Sequence, residues 1–279
     1  MAEMAASKKL PRAPLILVLA QTKFPSVLKM EKYVPDIQES LRLGGFPDYR
    51  PGQAINIIVG EGRSERVNWW EFGCADKRSQ VVLSHDSATL MTTDYSTFED
   101  FLTRLSQIVR PIEGHVRIAS ARQLGLRYVD LLAEIDDLKT GDLLAPGFRG
   151  LPAGSIDPEI KETATSFVVQ ARTPHGVLTV RSVQVIGAGN QVIPPDLTPV
   201  PPMPFPLKFP DWVHTARNPR VLDFDHVASD IENLSFSPET LAAKFRDLRH
   251  HTKLAFRAVS TDEARAAWGR EEPQKEKKP

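Results

Sequence analysis

Asp223 and Asp225 stand two residues apart in a segment of strand character, Val221–Asp225, with His226 following. On a strand, residues at that spacing point to one face, and two carboxylates so placed can share a cation. Arg127 sits among Leu124, Leu126 and Val129 in a second strand-like run. A guanidinium there would be costly to bury alone, so it needs a carboxylate partner. A structural ion pair of Arg127 with Asp223, Asp225 or Asp130 explains these residues without catalysis and is the preferred expectation. The alternative is a metal-dependent phosphate-processing enzyme using Asp223 and Asp225. Other metal chemistry finds no support: His250 and His251 are adjacent and diverge on a helix, and no His-Glu-x-x-His occurs. No metal is expected.

Nucleophilic and cofactor motifs are also missing. The chain has no Gly-x-Ser-x-Gly, no Gly-x-x-x-x-Gly-Lys-Ser/Thr and no Gly-x-Gly-x-x-Gly. Gly187-Ala188-Gly189 ends a strand-like run, but Asn190–Pro194 cannot open the helix that a dinucleotide site requires. Cys74 has His85 as a conceivable base in the same meander, and a buried inert thiol is the expected reading. No cofactor and no catalytic residue is therefore assigned, and an enzyme is the less favoured reading.

Binding chemistry is better supported. After Pro238, Leu241, Phe245, Leu248, Ala255, Phe256 and Val259 form a helical core stripe, while Lys244, Arg246, Arg249, His250, Lys253 and Arg257 occupy the rest. Residues 242–257 carry five cations against Asp247 alone, a surface suited to phosphate backbones or to an acidic partner. Residues 130–142 are the reverse, with Asp130, Glu134, Asp136, Asp137 and Asp142 against Lys139. Opposite patches of this kind suit a charged protein partner or a homo-oligomer. Trp69-Trp70 adds to that case, because adjacent strand residues face opposite ways and one tryptophan is left for an interface.

The elements that must position these residues follow from periodicity. A strand is expected at 15–22 and a helix from about Val27 to Leu43, with Pro35 either breaking its first turn or making it start late and Gly44-Gly45 setting its end. A meander follows, with strands at Ala54–Val59, Arg66–Phe72, Gln80–Ser84 and Ala88–Thr92. Ser96-Thr97-Phe98-Glu99 has capping-box form and opens a helix at 97–109 that should stop before Pro111. Gln123–Leu132 reads as a central strand with Leu124, Leu126 and Tyr128 on one side and Arg127 and Val129 on the other. Thr165–Ala171 and Val177–Ile186 read as a hairpin about Pro174 and Gly176. Ser237-Pro238-Glu239 caps the basic helix, which runs to about Val259, and Ser260–Glu263 recaps a last short helix ending near Trp268.

The fold class expected is α+β, with antiparallel sheets and amphipathic helices packed on one face, in two related lobes. Residues 1–13 and 270–279 read as disordered ends, 14–135 as an N-terminal lobe and 136–269 as a C-terminal lobe. The second lobe holds the proline-rich loop 194–210, whose interleaved Phe205, Leu207 and Phe209, with Trp212 beyond, suggest packing across a sheet edge; a recognition ligand for a proline-binding module is the alternative.

Composition bounds the function. Lys plus Arg is 35 and Asp plus Glu is 35, so a globally basic nucleic-acid coat is excluded, and a 41% hydrophobic fraction is enough for a sizeable core. The single cysteine fits a reducing compartment. The longest apolar run, Leu15–Ala20, is far short of the roughly 20 residues of a membrane helix. Lys8, Lys9 and Arg12 precede it, yet Pro11 and Pro14 bracket its start, so it reads as a buried strand and not a signal peptide. A cytoplasmic protein with no membrane partner is expected, and the sequon at Asn233 then carries no glycan.

Several segments together resemble an uncharacterised, sporadically distributed bacterial protein family of unassigned function. They are Pro14-Leu15 with Lys23–Leu28, Asp94-Tyr95-Ser96-Thr97-Phe98-Glu99-Asp100-Phe101, Leu124-Gly125-Leu126-Arg127-Tyr128-Val129, Leu222-Asp223-Phe224-Asp225, and Phe256–Asp262. The likeness covers nearly the whole chain in order. It departs where family members usually carry Asn at or beside Asp130, and in the length of the proline stretch. The resemblance implies an α+β fold and, since members recur near mobile and defence-type genes, a partner protein. The expectation is thus a non-catalytic protein-binding component, an adaptor, antagonist or chaperone-like member of such a system. The alternative to it, beside the enzyme above, is nucleic-acid binding through the basic helix face.

Overall fold

The computed structural model describes residues 10–58, 63–151, 156–157, 159–160, 163–185, 207–229, 231 and 234–269. The proline stretch up to 206, Gly187-Ala188-Gly189, the sequon residue Asn233 and the chain ends before 10 and after 269 lie outside these residues.

One antiparallel sheet holds nine strands, β1 (Leu15–Lys23), β2 (Asp48–Ile58), β3 (Arg63–Gly73), β4 (Ser79–Ser84), β5 (Ser87–Thr92), β7 (Gln123–Leu132), β8 (Ala164–Thr173), β9 (Gly176–Val185) and β10 (Arg220–Ala228), its central strands buried almost continuously because both faces are covered. Their order is β2-β3-β4-β5-β1-β7-β10-β9-β8. β1 and β7 are paired at the centre, and each is flanked by the last strand of the meander that follows it, β5 or β10. The sheet is therefore continuous across residues 135 and 136. Two-residue strands β6 (Ser120–Ala121) and β11 (Leu234–Ser235) pair separately.

Four α-helices, α1 (Met30–Leu43), α2 (Phe98–Val116), α3 (Pro238–Val259) and α4 (Asp262–Ala267), are accompanied in the described structure by short 3-10 turns at Pro146–Phe148 and Asp211–Thr215. The buried stripes of α1, α2 and α3 share one core with alternate sheet residues such as Val18, Phe72, Leu83, Leu90, Leu124 and Leu126. The fold is α+β, as the patterning indicates. On the opposite face Leu207 and Val213 pack on Leu17, Val129, Leu131 and Val221, so the described end of the proline-rich loop lies on the sheet.

Local chemistry shifts several boundaries. α1 begins at Met30 and passes through Pro35, early enough that a missing N–H removes one bond without ending the helix. α2 passes Pro111 and continues to Val116, against the expected stop. The wholly buried Ile112 extends its apolar stripe, and that burial, on the order of 1.5–3 kcal/mol, is comparable to the roughly 3 kcal/mol that a proline costs inside a helix. The expected box is shifted by a residue: Thr97 is the N-cap and accepts from Asp100 N–H, while Ser96 donates to Asp100 Oδ2. Ser237 and Thr261 cap α3 and α4. In the β8–β9 hairpin Gly176 has φ of 151°, and a Cβ there would lie 2.1 Å from the Val227 carbonyl oxygen on β10. Only glycine fits that turn.

Candidate functional site

β7 sends its side chains alternately to the two faces. Arg127, with Val129 and Leu131, faces away from the helices, and Tyr128 and Asp130 face them. Arg127 stands opposite Asp225 in register but makes its bidentate pair with the diagonal neighbour Asp223, at 2.7 Å (Nε to Oδ1) and 2.8 Å (Nη2 to Oδ2). Both residues are buried, and Arg181 of β9 adds a 2.9 Å bond to Asp223 Oδ2 and lies 3.7 Å from Asp225. Asp223 is thus occupied by two guanidinium groups, an arrangement that holds strands together and competes with any cation. Among the described residues no group of three or more His, Cys, Asp or Glu side chains is placed to hold a metal.

His226, on the other face of β10, is fully buried. Its Nδ1 lies 2.8 Å from the Leu248 carbonyl oxygen, which fixes that nitrogen as a donor, and Nε2 lies 2.9 Å from Thr173 Oγ1. Burial first, and then the nearby His251, His175 and Lys244, push its pKa down. Cys74 is pushed up to about 11 by burial and by Asp76, so its thiol is protonated and inert at neutral pH. His85 packs on Trp70, 5.5 Å between rings. Trp70 is in the core, whereas Trp69 lies half-buried over Gly52 and donates Nε1–H to Glu71.

The six polar residues singled out on α3 separate into two groups. Arg246 donates to Glu99 of α2, which holds that carboxyl below its ordinary pKa, and Lys244 lies 3.8 Å from Asp247 and 3.2 Å from His175. His250 is exposed and stacks edge-on against His251. The other three, Arg249, Lys253 and Arg257, recur every four residues and so form one stripe. They line a cavity of about 250 Å³ between α3, the centre of the sheet and the N-terminal segment.

Its floor is Tyr128, Asp130 and Phe224, and its outer wall is Leu10, Ala13, Pro14 and Leu15. Residues 10–13, within the segment expected to be disordered, form a turn tied down by Arg12, whose guanidinium bonds Asp136 at 2.9 Å and whose N–H donates to the Trp268 carbonyl. Arg265 of α4 also lines the cavity, but it is committed to Ser260, the Arg257 carbonyl and Asp262. Arg249 forms no ion pair within 4 Å among the described residues and rests with Cζ 4.8 Å from the Phe98 ring centre. Beside it, Tyr95 and Tyr128 meet edge to face at 6.0 Å. Burial raises the pKa of both phenols, so they are protonated donors at neutral pH. Tyr128 Oη is shielded from solvent and makes no hydrogen bond of good geometry among the described residues.

The acids of residues 130–142 do not gather against α3. Asp136 pairs with Arg12, Glu134 accepts from Asn218, and Asp142 accepts from the Lys139 amide, leaving Asp130 as the member at the cleft. Sequence reasoning found Arg249, Lys253 and Arg257 but missed Tyr95, Tyr128 and the N-terminal wall. The alternation that put Arg127 and Tyr128 on opposite faces was the available signal for Tyr128; nothing local marked residues 10–15 as a wall.

No helix of the described residues is long and apolar enough to cross a membrane. Compared with known proteins, the chain matches no protein-family model and no curated protein.

Proposed function

We propose that this chain is a non-catalytic binding protein that engages an acidic region of another protein at the cleft under α3. The observation that carries the reading is the convergence of Arg249, Lys253 and Arg257 on one apolar-walled cavity. Concave sites with apolar walls and a few placed charges are typical of ligand recognition. No activated nucleophile or poised base accompanies them among the described residues. The resemblance to the bacterial family that recurs near mobile and defence-type genes supports an adaptor, antagonist or chaperone-like role in such a system. The lone Cys74 supports a cytoplasmic setting.

Nucleic-acid binding is the weaker reading, because Arg246 and Lys244 are held by Glu99 and Asp247 and the remaining cations border the cavity. A phosphate backbone requires an extended row of cations. A metal-dependent enzyme built on Asp223 and Asp225 is weaker still, since two arginines occupy Asp223.

The test is affinity purification of the full chain from its native host at low salt, beside an Arg249→Glu/Arg257→Glu variant. A protein retained by the wild type and lost from the variant is the expected result. Retention unchanged by the charge reversal, or a co-purifying nucleic acid read from a high 260/280 nm ratio, overturns the reading.

A further inference from the structure

Arg249, Tyr95 and Tyr128 converge at the inner end of the cleft, near enough to interact with one another. Tyr128 Oη is buried in the cavity wall and makes no hydrogen bond of good geometry among the described residues. Such a group is costly to bury unless something in the cavity satisfies it. Tyr95 packs against the same ring, and both phenols feel the positive charge of Arg249. Arg249 itself stacks on Phe98 and makes no ion pair among the described residues. The opposite wall is apolar, formed by Leu10, Pro14 and Leu15, with Phe224 and Phe256 across from them.

We infer that the ligand of this cleft presents a carboxylate on an apolar stem, with the head between Arg249, Tyr95 and Tyr128 and the stem against the aliphatic wall. Two donor hydroxyls and a guanidinium match an oxyanion that accepts through several lone pairs, and hydrogen bonds to a charged acceptor are the strong ones. A single negative charge is preferred to two, because Asp130 lines the same cavity and the head group shares the space with its carboxyl. Two sources carry this chemistry: the C-terminal residue of a polypeptide, and a small aliphatic or aryl carboxylic acid. The inference rests on the cleft being the binding site, as proposed above, and names what that site recognises.

Calorimetric titration of the full chain separates these cases. The probes are N-acetyl-leucine, N-acetyl-leucinamide, 4-phenylbutyrate, hexyl phosphate, and a ten-residue peptide ending in leucine with a free or an amidated C-terminus. The expected result is saturable binding of the carboxylates, a loss of about tenfold or more on amidation, and a similar loss for Tyr128→Phe and for Arg249→Gln with melting temperatures near that of the wild type. The free-ended peptide binding more tightly than 4-phenylbutyrate assigns the carboxylate to a polypeptide end, and the reverse order assigns it to a small acid. Equal binding of acid and amide, tighter binding of the phosphate, or no effect of Tyr128→Phe overturns the inference. If the host partner is lost on Arg249→Glu/Arg257→Glu while no carboxylate binds, this inference fails and the proposed function stands. If the carboxylates bind as expected and no partner depends on those arginines, the proposed function fails and the ligand class stands.

Discussion

Arg127 and Tyr128 are neighbours on β7, and the two faces they serve treat positive charge in opposite ways. On the face away from the helices, Arg127 and Arg181 meet Asp223 within 2.9 Å, so charge and hydrogen bonds are matched inside the fold. On the helix face, Arg249 and Arg257 border a cavity with apolar walls and make no ion pair among the described residues. A buried, matched charge network resists disruption and offers little to a ligand. Unmatched cations beside a hydroxyl without a well-formed hydrogen bond hold recognition capacity in reserve. Residue type alone does not tell an arginine of the first kind from one of the second; the partner does.

The largest effect should come from breaking the matched side. Asp223→Ala leaves Arg127 as a buried charge without its bidentate acceptor, and removal of one member of such a pair costs about 3–5 kcal/mol. Urea unfolding should show the midpoint falling accordingly. The double replacement Arg127→Met/Asp223→Leu should recover most of the loss, since Arg181 is part-exposed and can turn to solvent. A fall no larger than that of an exposed pair would erase the contrast between the two faces.

Next in size is the pH dependence set by His226, which lies beside Asp225 in sequence but on the helix face. Its folded pKa is depressed from the ordinary 6.5 by burial, with His251, His175 and Lys244 adding to the effect. The unfolded chain therefore takes up a proton at higher pH than the folded one, and stability falls as pH drops below about 6.5 and levels off once below the folded value. Urea midpoints between pH 5 and 8 should rise with pH across that window, and His226→Gln should flatten the rise. An equally steep rise in the variant would assign the dependence to groups other than His226.

Much of this arrangement is written in the sequence. Strand alternation separates Arg127 from Tyr128, and helical spacing places Arg249, Lys253 and Arg257 in one stripe. What alternation does not give is the diagonal register that brings Arg127 into a bidentate pair with Asp223, because pairing between residues 96 positions apart depends on how two strands align. The cleft was illegible for the same reason. Its walls come from residues 10–15, 95, 128 and the 249–257 stripe, which only the tertiary fold assembles. The end of α2 was misread because Pro111 is a local signal and Ile112 a packing one, and packing prevailed.

On the unmatched side the stability effects should be smaller and the binding effects larger. Arg249→Ala removes a cation over the Phe98 ring, worth about 0.5–1 kcal/mol at a partly exposed site, and Arg257→Ala removes an exposed cation of less consequence. Both should fold with near wild-type urea midpoints while losing the ligand of the cleft. A destabilisation comparable to that of Asp223→Ala would mean that these arginines are structural after all.

The smallest effect is expected at Arg246, three residues before Arg249 on the same helix. Its bonds to Glu99 are exposed, so Arg246→Ala should change stability by no more than about 1 kcal/mol, and by less at high salt. Binding at the cleft should not change, because its charge is already met and it does not line the cavity. A loss of ligand equal to that of Arg249→Ala would show that the whole helix face acts through its summed field. In that case the partner, or the nucleic acid, would be reading net charge, and the distinction between matched and unmatched arginines would carry no functional weight.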